Sequence, residues 1–214
     1  MREKGRVKEL FAAMSPAEKA KYFWEYYKYY LFAFLLVIVV TVFLVNNHNV
    51  KKEPALSIFV LGELVDAKEI NKIAQKLNEE MLSDKQRKTH EISIQVIPYA
   101  PDAADFTIVM AALQKVAGEI STGDLDVLFI DKKQFEMMNQ DHYFYSQNEL
   151  VNGSLPIDED SLYVDSRQQI TGIDVSAVPL FNEAIDDAEM VMGVLVNSQK
   201  REETKKLFQV LFMN

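Results

Sequence analysis

The apolar positions fall into one unbroken stretch followed by alternating short runs and spaced stripes. From Tyr29 to Val45, seventeen consecutive residues carry no charge, and only Tyr29, Tyr30 and Thr41 bear polar side-chain groups. A helix of that length rises about 25 Å, near the lower end of what crosses a hydrocarbon layer about 30 Å thick. Flanking groups must cover the remainder. Tyr22, Phe23, Trp24, Tyr26 and Tyr27 suit the headgroup level with their amphipathic rings, and Lys28 can snorkel past them. The pattern predicts a transmembrane helix over 29–46, a cytoplasmic basic arm and juxtamembrane helix over 1–28, a connector over 47–54 and an extracytoplasmic domain over 55–214. No small-x-small cleavage site follows Val45, so the helix is expected to remain as an uncleaved signal anchor.

Ahead of the apolar stretch, Ser15, Pro16, Ala17 and Glu18 have the spacing of a capping box, with proline in the first turn. Val7, Leu10, Phe11 and Met14 recur at steps of three and four, which fits a short amphipathic helix on the inner leaflet or a disordered basic tail.

Beyond the connector the period changes. Ala55–Gly62 is an apolar run of strand length. Asp66 then opens a helical stripe of Ile70, Ile73, Ala74, Leu77 and Met81. Glu91–Pro98 alternates Ile92, Ile94 and Val96 with Ser93 and Gln95, the two-residue period of a strand. Asp102 and Asp105 precede a stripe of Phe106, Val109, Met110, Leu113, Val116, Ala117 and Ile120. Asp126–Ile130 is a third strand, and Asp131 caps a short helix. Three strands that each feed a helix predict an α/β fold, because parallel neighbours require crossover connections. The sheet is expected to be mostly parallel with a mixed edge and helices on both faces. Residues 141–161 read as irregular, 162–165 and 169–175 as a hairpin near an edge, 190–197 as a strand and 198–212 as a helix.

Charge adds an orientation. Seven lysines and arginines precede the apolar stretch, against Lys51 and Lys52 just beyond it, which predicts a cytoplasmic N-terminus. Residues 46–214 hold 16 basic and 28 acidic side chains, within a chain of net charge −9. So acidic an exterior is a poor partner for nucleic acid, whose binding needs clustered cations. The chain has no cysteine, so neither disulfides nor thiolate chemistry are available to it.

Candidate chemistry is sparse. His48, His90 and His142 lack the spacing of a zinc site, and the acidic groups at 158–160 and 186–189 lack the alternating oxygens of a calcium loop. No nucleophile elbow, phosphate loop or H-E-x-x-H occurs. Catalysis, a cofactor and a metal are therefore not expected. An open parallel sheet receives ligands beyond the carboxyl ends of its strands. Those ends are Gly62 and Glu63, Tyr99 and Asp131. Gly62 would allow close backbone approach and Tyr99 would offer a stacking surface. The alternative makes Gly62 a turn, Tyr99 an edge aromatic and Asp131 a helix cap.

The run GDLDVLFIDKKQFEMM, Gly123–Met138, resembles the stretch of type II extracellular solute-binding proteins where an aspartate-flanked strand reaches the ligand crevice. TGID and Met192–Phe212 resemble the returning strand and helix of that fold, and KYFWEYYKYY resembles uncharacterised single-pass membrane proteins of Gram-positive bacteria. The likeness spans residues 55–212, about half a two-lobed binding protein, and lacks the lipid-attachment cysteine. It implies a single lobe. Two functions follow as expectations. The first is an extracytoplasmic accessory subunit of a membrane complex, with the bilayer and another membrane or surface protein as partners. The alternative is a tethered domain that captures a small solute or peptide. A pocket at Gly62, Tyr99 and Asp131 would favour capture, and an apolar patch around Tyr143, Phe144 and Tyr145 would favour a protein partner.

Overall fold

The computed structural model describes residues 15–47, 52–100, 106–150, 156–186 and 189–213, and within the first helix the side chains at 19, 20, 22, 23, 26 and 43–47 lie outside that description. The amphipathic stretch 7–14 and the caps at Asp102 and Asp105 therefore fall outside the described residues, as do the side chains of Tyr22, Phe23 and Tyr26. The chain divides into two compact units, Met1–Lys51 and Lys52–Asn214.

Among the described residues the first unit is one helix, α1, Pro16–Asn47. Its start is the expected box: Glu18 Oε2 accepts from the Ser15 amide at 2.8 Å, and the Glu18 amide donates to Ser15 Oγ at 3.3 Å. The Ser15 amide first, and then the Ser15 hydroxyl, which donates to Glu18 Oε2 at 2.8 Å, hold the Glu18 carboxyl below its ordinary pKa. Trp24 and Tyr27 are exposed, and the Lys28 ammonium lies 5.2 Å from the centre of the Tyr29 ring. From Tyr29 to Val42 every side chain is exposed within this unit, and apart from Thr41 all are aromatic or aliphatic. Among the described residues no helix is long and apolar enough to cross a membrane. The side chains of α1 are described without a break only from Tyr27 to Val42, so a span over 29–46 rests on the sequence.

The second unit is a six-stranded sheet of order β2-β1-β3-β6-β5-β4. Its strands are β1 (Glu53–Gly62), β2 (His90–Pro98), β3 (Val127–Asp131), β4 (Leu162–Val164), β5 (Ile170–Asp174) and β6 (Met190–Val194). β1 pairs in parallel with β2 and β3, while β3–β6, β6–β5 and β5–β4 are antiparallel. The expectation of a mostly parallel sheet is thus corrected to a mixed one. The three strand–helix units form the parallel half, and the late strand β6 enters beside β3 running the opposite way.

Helices α2 (Ala67–Met81), α3 (Phe106–Thr122), α4 (Lys132–Gln140) and α5 (Arg201–Phe212) cover both faces. Strand alternation divides the core accordingly. Leu56, Ile58 and Val60 of β1 and Val127 and Phe129 of β3 pack with α2 and α5, whereas Phe59, Leu61, Leu128 and Ile130 pack with α3 and α4. Asp66 caps α2 by accepting from the Lys68 and Glu69 amides, and Asp131 caps α4 by accepting from Gln134 at 3.1 Å.

Candidate functional site

At the carboxyl ends of the parallel strands, Gly62 pairs in register with Pro98, and the Tyr99 amide donates to the Gly62 carbonyl at 3.4 Å. Gly62 and Tyr99 are therefore adjacent. Asp131 stands opposite Met190 in the β3–β6 ladder, and Met190 in turn lies beside Gly62, where an added Cβ would meet Val65 at 2.9 Å and Met190 at 3.5 Å. The close approach at Gly62 is thus made by the protein's own side chains. Tyr99 is buried, Glu63 is exposed, and Asp131 divides its carboxylate between the cap and a buried oxygen with no bonded partner among the described residues.

The backbone at 184–186 and at 189 is stitched to these strand ends. Asp66 donates to the Ala184 carbonyl at 2.8 Å, Asp186 to Leu64 at 3.1 Å, and Lys132 to Glu189 at 2.8 Å. Next to Asp131, the Lys132 ammonium lies 5.4 Å from the centre of the Tyr163 ring, and the Tyr163 hydroxyl donates to Asp174 at 3.3 Å. Burial first, then the Asp174 charge and hydrogen bond, push the Tyr163 pKa up to about 12, so it remains a neutral donor.

The aromatic run His142–Ser146 splits. Phe144 is buried and stacked on Phe135 with ring centres 4.5 Å apart, Tyr145 is half-buried, and Tyr143 is exposed. It does not form one continuous apolar patch.

A cavity of about 310 Å³ opens at the opposite, amino-terminal end of β1 and β2, lined by Glu53, Pro54, Ala55, Met81, Leu82, Gln86, His90, Lys200, Glu203 and Lys206. Behind it is a fully buried carboxylate, Asp126. Isolated in an apolar interior such a charge costs several kcal/mol, so its partners decide whether the site is tenable. Asp126 Oδ2 accepts from the Ser57 amide at 2.8 Å and Oδ1 from the Ser198 hydroxyl at 2.6 Å. The Lys200 ammonium lies 3.5 Å from Oδ2 and donates to the Pro54 carbonyl at 2.8 Å. These four groups join β1, the start of β3 and the approach to α5, and they fix a lysine at the cavity wall.

Sequence reasoning read Asp126 only as the first residue of a strand. Its flanking by Leu125 and Val127 was the available sign, since a lone carboxylate entering a buried strand demands a partner. The partner stands 74 positions later, where no local spacing indicates it. Among the described residues no group of three histidines and carboxylates gathers in a metal-binding arrangement.

No protein-family model matches the chain, and no curated protein matches it. Among solved structures the chain is weakly similar to an ABC substrate-binding protein, Lmo0181 from Listeria monocytogenes in complex with cycloalternan, with 12% sequence identity and a TM-score of 0.37. The likeness covers 57% of this chain and 28% of that protein.

Proposed function

We propose that this protein is a single-pass, membrane-anchored accessory subunit that presents its α/β unit outside the cytoplasm to another membrane or surface protein. The anchor is α1, and the basic flank of residues 1–28 holds its N-terminus inside. The observation that carries the interaction reading is the outer surface of α3. In its 17 residues α3 has only Lys115 and Glu119 as charges, whereas α2 has six in 15. The inward stripe of Val109, Ala112 and Val116 is buried, yet Phe106 is 67% exposed, Ile108 51% and Met110 39%. A surface helix ordinarily keeps its outer face polar, and an apolar outer face fits an apolar partner surface.

The test is co-purification from mild detergent with and without Phe106→Asp and Ile108→Asp. The double variant is expected to lose the partner while melting at the same temperature as the parent, because both side chains already face water. Retention of every partner by the double variant removes this reading.

Capture of a small solute is the second reading. The cavity beside Lys200 favours it, with a volume at the lower end of small-molecule sites.

A further inference from the structure

The cavity at the amino-terminal end of β1 and β2 carries both signs of charge on its wall. On α5, Glu202 and Lys205 close an ion pair at 3.1 Å across one turn. Glu203 and Lys206 have the same spacing one residue further along, line the cavity, and have no ion-pair partner among the described residues. Residues three apart on a helix lie within about 6 Å of one another, so an open pair at that spacing leaves a cation and an anion near each other but out of direct contact.

Lys200 supplies a second, immobilised cation. An ammonium has three protons; the Pro54 carbonyl accepts one, Asp126 Oδ2 lies 3.5 Å away, and the side chain keeps 30% exposure at the cavity wall. Holding a lysine in place beforehand removes much of the entropy that binding would otherwise cost. The rest of the wall combines an apolar part, Pro54, Ala55, Met81 and Leu82, with Gln86 and with Glu53 and His90, which approach each other at 3.7 Å.

We propose that this cavity binds a free amino-acid zwitterion with an apolar side chain. Its carboxylate is received by Lys200 and Lys206, its ammonium by Glu203, and its side chain by the apolar wall. A simple anion would meet Glu203 and Glu53 and a simple cation would meet both lysines, so the arrangement selects a neutral molecule bearing both charges close together. The inference rests on the capture reading and names its ligand class.

Calorimetric titration of the full chain in detergent micelles decides it, using L-methionine, N-acetyl-L-methionine, L-methioninamide and maltotriose. L-Methionine is expected to saturate one site per chain, and each capped analogue to bind about tenfold more weakly, the loss appropriate to one hydrogen bond with a charged group. Lys206→Ala should weaken L-methionine by a similar factor and leave the amide unchanged. Glu203→Gln should weaken L-methionine and leave the N-acetyl form unchanged. Unchanged thermal melts of both variants show that the fold persists. Binding of L-methionine that neither substitution alters overturns the proposal. Binding of maltotriose or a capped analogue without L-methionine removes this ligand class while keeping capture. Absence of any binding removes both.

Discussion

Gly172 and Gly193 face each other across β5 and β6, and aromatic rings occupy the space their side chains would fill. An added Cβ at Gly172 would meet Phe135, and one at Gly193 would meet Phe144. The two rings stack on this flat part of the sheet, with Tyr163 meeting Phe135 edge-on at 5.5 Å. Neither ring can retreat through so close-packed a core. Gly193→Ala should therefore lower unfolding stability by about 1–3 kcal/mol, as overpacking does, in urea denaturation. Asp165 governs a second local prediction. Its buried carboxylate accepts from the Gln169 and Arg167 amides at 2.9 Å and from the Arg167 side chain at 2.8 Å, and the Gln169 bond is the largest cause of its lowered pKa. A lowered carboxylate pKa contributes stability that is complete above the unfolded value of about 3.9 and disappears as pH falls through the folded value. The melting-temperature gap between the parent and Asp165→Asn should accordingly be constant at neutral pH and narrow below about pH 4. Residue-level features encoded within one turn, such as the caps at Ser15, Asp66 and Asp131, were legible in the sequence. The Asp126–Lys200 contact was not, because only the folded sheet brings its two ends together.

At the scale of elements, the long edge strand β2 is protected by its neighbouring helix. The Asn78 side chain of α2 accepts from the Ile92 amide at 2.9 Å and donates to the Ile92 carbonyl at 3.2 Å. One side-chain amide thereby satisfies backbone groups that another chain could otherwise pair with. Pro98 ends the same strand without an N–H to offer. Asn78→Ala should cost about 1–3 kcal/mol through the two unpaired groups, and it should increase self-association in sedimentation velocity. The other edge, β4, has three residues and an irregular register with β5. The first and third strands and the helices after them were readable because period and cap agreed there, at Asp66 and Asp131, whereas the second helix was found by its period alone and turns Phe106 and Met110 of the expected inward stripe outward. The direction and position of β6 were not. Five buried apolar residues carry no mark of which way they run, and that choice falls to the pairing of Val127–Asp131 with Met190–Val194.

For the whole molecule, the strongest asymmetry is between a basic, apolar first quarter and an acidic remainder. If lipid holds α1 with its N-terminus inside, protease added to intact cells should remove everything after Asn47 and spare the first 20 residues. The reverse pattern of protection overturns the orientation. The backbone bonds made at the strand ends by 184, 186 and 189 bear on more than topology. Substitutions intended to carve a receptor there would first have to cut the bonds that tie 64–66 to 184–186 and Lys132 to Glu189. Any selection experiment that starts from this scaffold should accordingly recover its gains on the opposite side, where nothing has to be unfastened first.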